Sequence, residues 1–437
     1  MHRIGGFLLV LLLAPLGASA QTPSSDNQEQ EIREMRARIE KLEKLVEELQ
    51  KERAANSVAP HARETSDSVQ ASATPSPRQP EPGGSVAMDH SADQIETTNE
   101  PGRKFPALHF RGFGDVDFSG TDEKGTKSGF NMGQFILHIS SPLSEKVSVF
   151  GEASFTAQPT GYNVDLERLI IRYDYNDFFK LSFGRYHTPI NYWNTAFHHG
   201  LWLQTAIARP EMIRFGGRFQ PVHFLGMLAE GKIPSGPLGL AYSAGFGNGR
   251  AGNIARAGDA SDINNNRAWV ASVFSRPAAL NGLQLGGAVY GDLISPSPAL
   301  TGAPQFRELI TSAHLVWTKE TPEFLAEFAH VRHRNTLTQE EFNSDAAYVQ
   351  VAYRLPGEAR KWKPYYRFEW SNINPGDVLF TVTSQPAPLV NDLTGSTVGV
   401  RFDITNLAAF KGEYRHTSRR VTDPIVNGLF FQTSFTF

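Results

Sequence analysis

From about residue 105 to the carboxy terminus, apolar and polar side chains alternate one for one in segment after segment. In residues 397–404 one face carries Val398, Val400, Phe402 and Ile404, and the other Thr397, Gly399, Arg401 and Asp403. Residues 347–355 set Val349, Val351, Tyr353 and Leu355 against Tyr348, Gln350, Ala352 and Arg354. Residues 169–175 set Leu169, Ile171, Tyr173 and Tyr175 against Ile170, Arg172 and Asp174. Successive side chains of a strand point to opposite faces, so each segment predicts a strand with one greasy and one polar face. The same reading along the chain predicts sixteen strands, near 107–119, 127–141, 145–157, 163–175, 178–186, 215–231, 238–247, 267–276, 282–291, 306–318, 323–334, 343–355, 362–373, 393–405, 409–420 and 427–437. Pro221 interrupts the sixth, which widens the expected count to about 14–18.

A soluble β-sandwich alternates too, but three features select a membrane. The chain ends on Leu429, Phe431, Phe435 and Phe437 on one face of a strand that runs to the last residue. This resembles the closing strand of bacterial outer-membrane barrels, whose terminal aromatic residue is read by the assembly machinery. Connections alternate in length, tight at 141–146, 175–178, 235–238, 276–282 and 320–323 and longer in between, as expected where short periplasmic turns face long outer loops. Phe118, Tyr173, Tyr175, Phe178, Phe179, Trp317, Tyr353 and Trp370 sit near strand ends, where interfacial girdles belong. The predicted fold class is all-β, a transmembrane antiparallel β-barrel of about sixteen strands over residues 105–437, preceded by a short α-helical coiled coil and a disordered linker.

The first hundred residues follow other rules. Residues 1–20 join a basic start, an apolar run from Phe7 to Leu13 and Ala18-Ser19-Ala20, the pattern of a secretory signal peptide. In 28–53, Ile32, Met35, Ile39, Leu42, Val46 and Leu49 recur at alternating spacings of three and four, which predicts a coiled coil and hence self-association. Ile at a with Leu at d favours dimers, whereas Arg38-Ile39-Glu40-Lys41-Leu42-Glu43 resembles the trimerisation motif of short coiled coils, in which Arg38 forks onto Glu43 of a neighbouring helix. Residues 54–104 are rich in Pro, Ser, Thr and acidic residues, and read as a flexible linker.

With no Cys in 437 residues, thiol catalysis, disulfides and Cys-based zinc sites are excluded. A net charge of −3 excludes the strongly basic balance of a nucleic-acid binder. Projecting the polar faces inward collects Arg111, Arg168, Arg172, Arg354, Arg367, Arg401, Lys411 and Arg415 with Asp115, Asp117, Asp174, Glu369, Asp403 and Glu413. Charges of both signs inside a spanning barrel are tolerable around water or as mutual pairs, and a guanidinium excess favours anions. The third outer loop, 187–214, holds Tyr192, Trp193, Phe197 and Trp202, too aromatic for a solvated loop, and is expected to fold into the barrel. Arg185, Arg209, Arg214 and Arg218 flank it as candidates for a charged constriction. His187, His198 and His199 bring no carboxylate close in sequence, so no metal site is assigned. No G-x-S-x-G occurs, and no catalytic group or cofactor is assigned.

Signal peptide, coiled coil, linker and a barrel ending in Phe together resemble the trimeric outer-membrane porins with an N-terminal periplasmic coiled coil, within the phosphate-selective-porin-like group. No Lys-rich phosphate cluster matches, so no site residue is carried over. The resemblance implies a homotrimer in the bacterial outer membrane, its coiled coil in the periplasm. It also implies passive diffusion of small hydrophilic, anionic solutes through a loop narrowing the pore at mid-height. The alternative is a plugged barrel, a structural tether or sheath whose coiled coil engages cell wall or a periplasmic partner.

Overall fold

The computed structural model describes Glu40, Lys44 and residues 105–197, 200–250, 254–256, 258–259, 262, 264–295, 304–381, 390, 392–419 and 425–437. The chain divides into two units, Met1–Arg78 and Gln79–Phe437. In the first, Glu40 and Lys44 are helical and exposed, with Lys44 Nζ 3.2 Å from Glu40 Oε1. The expected signal peptide, the seam residues Ile32, Met35, Arg38, Ile39, Leu42, Glu43, Val46 and Leu49, and the linker as far as residue 104 lie outside the described residues.

In the second unit, the alternating segments form β1 (His109–Thr121), β2 (Gly129–Pro142), β3 (Val147–Gln158), β4 (Gly161–Asn176), β5 (Phe179–His187), β6 (His223–Lys232), β7 (Leu240–Asn248) and β8 (Ala268–Ser275). They continue as β9 (Leu283–Ile294), β10 (Phe306–Trp317), β11 (Glu323–Asn335), β12 (Glu341–Ala352), β13 (Trp362–Asn372), β14 (Leu393–Thr405), β15 (Ala408–Arg419) and β16 (Ile425–Thr436). Each pairs antiparallel with its sequence neighbours, and β1 meets β16 from Phe113↔Thr436 to Thr121↔Gly428, closing a sixteen-strand barrel. Among the described residues no helix is long and apolar enough to cross a membrane.

Two expectations need correction. The sixth strand starts at His223 rather than 215; Pro221 donates no N–H to a ladder, and 215–222 belongs to the inner loop. Connection lengths alternate less strictly than expected. At the rim of tight turns, 177–178 and 406–407 are minimal, and at the other rim 188–222 and 373–392 are long. Yet 159–160 alone joins β3 to β4 on the long-loop side.

The two faces are inverted relative to a soluble protein. Leu169, Ile171, Tyr173, Val398, Leu429, Phe431 and Phe435 are exposed outward, while Arg168, Arg367, Arg401, Lys411, Glu413 and Gln432 are buried inward. Such an outer surface is stable only against hydrocarbon. Of the expected girdle, Tyr173, Tyr175, Phe178, Phe179, Tyr353 and Trp370 are exposed at the rims, and Phe118 and Trp317 half-buried. The interior is not uniformly polar. On β10–β12 the inward rows carry Phe306, Ile310, Leu325, Ala329, Val331, Phe342 and Tyr348, all buried, because this wall packs against inserted loops.

Gly184 on β5 has φ +138°, and a Cβ there would run into the Leu169 carbonyl of β4. Gly184→Val therefore loses about 1–3 kcal/mol from the dihedral alone, before the clash. The expected result is a lower urea midpoint in detergent and less of the compact band on unheated gels; an unchanged midpoint contradicts this.

Candidate functional site

The inner loop, 188–222, leaves β5 and re-enters at β6, whose His187 and His223 are register partners. Its aromatic residues drive it inside: Trp193 is fully buried, Tyr192 and Phe197 nearly so, and Trp202 half so. Among its described residues, regular structure is limited to α1 (Trp193–Ala196) and a 3-10 turn at Glu211–Ile213. Buried N–H and C=O groups need partners, and the barrel wall supplies them from charged side chains.

The descending arm begins where Asn194 Nδ2 donates to the carbonyls of Thr188 and Val222, at 2.9 and 3.0 Å, pinning the two ends of the loop together. The N–H groups of Tyr192 and Trp193 both donate to Glu327 Oε1, at 3.0 and 2.6 Å. At the lowest point Thr205 Oγ1 donates to Glu323 Oε1 at 2.8 Å, and Glu323 opens β11 at the tight-turn rim. There Arg401 donates to the carbonyls of Trp202 and Gln204, and Lys411 to those of Leu201 and Ala206. The ascending arm climbs β13 and β15. Ile207 N–H donates to Glu413 at 2.6 Å, Arg367 to Ala208 O at 2.7 Å, and Glu211 N–H to Glu369 at 2.6 Å. Wall acids accept from the loop's amides and wall bases donate to its carbonyls. The loop thus runs close to the full height of the barrel, deeper than the mid-height constriction expected from the sequence.

The inward residues named from alternation are consequently paired. Arg168 lies 2.5 Å from Glu152, Arg172 2.7 Å from Asp174, Arg401 2.8 Å from Asp403, and Arg367 2.8 Å from Glu369. Arg354 bridges Glu320 at 2.9 Å and Asp403 at 2.5 Å, and Arg415 meets Glu413 at 2.6 Å. Arg111 stacks on Phe113, and Asp115 Oδ1 accepts the Gln134 N–H at 3.3 Å. Of the flanking arginines, Arg185 reaches Asp259 at 3.1 Å and Arg214 reaches Glu211 at 2.8 Å. Arg209 lies 3.7 Å above the Phe215 ring and donates to Ile213 O at 2.8 Å; Arg218 is fully buried and donates to Leu379 O at 3.2 Å. Two loop aromatics contact the same wall cations, Trp193 under Arg367 and Trp202 under Arg401.

A second insert enters from the connection after β13. Its short helix α2 (Val378–Thr381) buries Leu379 and Phe380, and Phe380 stacks on Phe219 of the inner loop. The insert is clasped by His333 on β11, whose Nδ1 is hydrogen-bonded to Asp377 at 2.6 Å and whose Nε2 is hydrogen-bonded to Glu308 at 2.9 Å. Glu308 also meets Arg250 Nε at 3.1 Å, and Arg250 donates to the carbonyl of Phe219 at 3.1 Å. None of these four was selected from the sequence. The available signal was that Glu308, Glu327 and His333 share inward rows with Ile310, Leu325, Ala329 and Val331.

Among the described residues, cavities flank the inner loop at both rims, and two of them matter here. One of about 340 Å³ opens at the tight-turn side between Asn191–Ala196 residues of the descending arm and the wall from β5 to β10. At its mouth Lys232 donates to Asp177 at 2.7 Å, which holds the Asp177 carboxyl below the usual carboxylate range. The other, about 140 Å³, lies on the long-loop side against β1 and β13–β16, lined by Arg209, Arg415 and Arg419 with Glu123, Glu211 and Glu369 among others. Among the described residues no group of three or more His, Cys, Asp or Glu is placed to hold a metal ion; His198 and His199 lie outside them.

No protein-family model matches the chain, and no curated protein sequence matches it. Solved structures do. The anion-selective porin from Comamonas acidovorans aligns at TM-score 0.55 and 10% identity, over 76% of this chain and 100% of that one. OmpF of Salmonella typhi in complex with daunomycin aligns at 0.51 and 12%, over 76% and 97%. The outer membrane channel DcaP of Acinetobacter baumannii aligns at 0.50 and 12%, over 76% and 97%. At these identities the likeness is one of fold: a closed transmembrane antiparallel barrel of the outer-membrane type.

Glu327→Ala leaves the amides of Tyr192 and Trp193 without their acceptor, at about 1–3 kcal/mol for each buried donor. Trypsin is expected to cut the folded variant at Arg209 or Arg214 faster than the parent, while Glu327→Gln, which keeps an acceptor oxygen, stays near the parent. Equal cleavage of all three contradicts the anchoring role.

Proposed function

We propose that this protein is a passive outer-membrane channel for small hydrophilic solutes, with a mild preference for anions in its ion current. One observation carries the reading. A charged, inward-facing wall holds a loop across the barrel so that it narrows the lumen and leaves a chamber on each side. A conduit of this kind needs a wet, charged passage and no catalytic group. The anion preference rests on the long-loop chamber, where Arg209, Arg367, Arg415 and Arg419 outnumber Glu123, Glu211 and Glu369. Most of these guanidiniums are paired, so the bias is weak rather than a binding ring. Two of the fold-level neighbours are an anion-selective porin and an outer membrane channel, in keeping with this reading.

In the same proposal the tight-turn rim faces the periplasm, where an even strand number returns the chain to the side of its amino-terminal segment. Residues 28–53 would then join three copies in the periplasm, available to a cell-wall or periplasmic partner.

A second reading, a closed barrel acting as a tether or sheath, draws on the sector filled by Phe219, Leu379 and Phe380. Ion current through the full chain in planar bilayers separates the two, since a sealed tether carries none. Under a salt gradient, combined Arg209→Gln and Arg419→Gln substitution is expected to move the reversal potential toward cation preference. An unmoved potential contradicts the role given to the long-loop chamber.

A further inference from the structure

The outward face of the barrel carries a cluster of positive charge in one sector of the long-loop rim. Arg307 on β10 and Arg332 and Arg334 on β11 alternate with the buried, inward Glu308, Val331 and His333, so all three stand exposed on the outward face. From Trp317 near the tight-turn rim to Arg307, β10 rises about 25 Å at ordinary strand rise and tilt, which is the height of the apolar band of such a barrel. Arg307 and Arg334 therefore sit where hydrocarbon gives way to headgroups, with Arg332 one pleat lower. At the same rim β8 and β13, on either side, carry Trp269 and Trp370 outward, the aromatic residues usual at an interface.

The described residues do not offset this clustering. Arg307 and Arg334 are register partners, and Arg332 lies diagonal to Arg307, opposite Leu309. Like charges directly opposite one another destabilise a sheet. Of the neighbouring carboxylates, Glu341 is 3.8 Å from Arg334, Asp345 is taken up by His330 at 2.8 Å, and Glu340 lies exposed on the turn beyond. Arg307 and Arg332 form no ion pair among the described residues. Asn343 stands opposite Arg332 and adds a neutral hydrogen-bonding group.

We propose that this patch binds the phosphate groups of an anionic glycolipid of the outer leaflet. Each guanidinium presents a planar fork that matches two phosphate oxygens. A phosphate seated between Arg307 and Arg334 turns their mutual repulsion into shared attraction. Below them on the same outward face, Leu309, Ala313 and Phe328 offer apolar surface to the acyl chains. A lipid holds its phosphate at this height against the barrel, whereas a dissolved anion has no other contact there. The choice of leaflet rests on the orientation given under the proposed function; recognition of a lipid phosphate does not.

The test uses the folded full-length protein in detergent micelles, titrated with bisphosphorylated lipid A, with its dephosphorylated form and with inorganic phosphate, and read by native mass spectrometry. The parent is expected to retain lipid A and to hold the dephosphorylated form far more weakly. Joint Arg307→Gln, Arg332→Gln and Arg334→Gln substitution should weaken lipid A about tenfold or more. Arg307→Lys alone, which keeps the charge and loses the fork, should weaken it less. Equal retention of the two lipids, or of lipid A by parent and triple variant, overturns the site. So does displacement of lipid A by inorganic phosphate at equal concentration, which marks a site for free anions. A changed oligomeric state in the triple variant with lipid binding intact overturns it as well, marking a contact between copies. Orientation is read separately, because the chain has no Cys. Leu337→Cys, at a position 75% exposed on the turn beyond Arg334, is expected to react with an impermeant maleimide on intact cells. Failure to label overturns the leaflet assignment alone. A barrel silent in bilayers that still takes lipid A through these arginines overturns the channel reading and upholds the lipid site.

Discussion

A backbone segment drawn into a membrane barrel brings its amide and carbonyl groups with it, and each one left unpaired away from water costs about 1–3 kcal/mol. The described residues of 188–222 meet that requirement with one short helical turn, Trp193–Ala196, a 3-10 turn, Glu211–Ile213, and no ladder of their own. Glu327, Glu413 and Glu369 accept from their amides, and Arg367, Arg401 and Lys411 donate to their carbonyls. This exchange explains why the inner wall needs both signs of charge. It also explains why those charges are tolerable at membrane depth: the same groups pair with one another, as Arg367 does with Glu369 and Arg401 with Asp403.

The arrangement divides the interior by sector. The wall of β10–β12 presents apolar side chains such as Leu325, Ala329 and Val331 inward, interspersed with the buried anchors Glu308, Glu323, Glu327 and His333, and meets Trp193 and Phe380 of the inserts. The wall of β13–β16 presents charge and carries the ascending arm. The chambers lie in different sectors, one against β5–β10 at the tight-turn rim and the other against β13–β16 at the long-loop rim. The clasp at His333 adds a second tie, joining the insert after β13 to the arm that ends at Phe219.

Much of this barrel was legible in the chain. Period-two alternation located all sixteen strands because one face meets hydrocarbon and the other does not, and that contrast survives in every strand except near Pro221. The same alternation correctly turned Arg168, Arg367 and Arg401 inward. Their partners were not legible, since Glu369 meets an amide 158 positions away and Arg401 a carbonyl 197 away, and no periodicity encodes such pairings. Aromatic content announced that the third loop would be buried; the depth it reaches depends on which wall residues answer its backbone. Asp377, His333, Glu308 and Arg250 come from four separate segments, and nothing local marks them as a group.

The central claim is that residues 188–222 lie inside an otherwise open conduit and narrow it. Since His187 and His223 already face each other across β5 and β6, a short Gly-rich hairpin can replace the loop without breaking the barrel. Single-channel conductance of that variant beside the parent is the most direct measurement: the account predicts current through both, several times larger without the loop. Equal conductance, or silence in both, contradicts it.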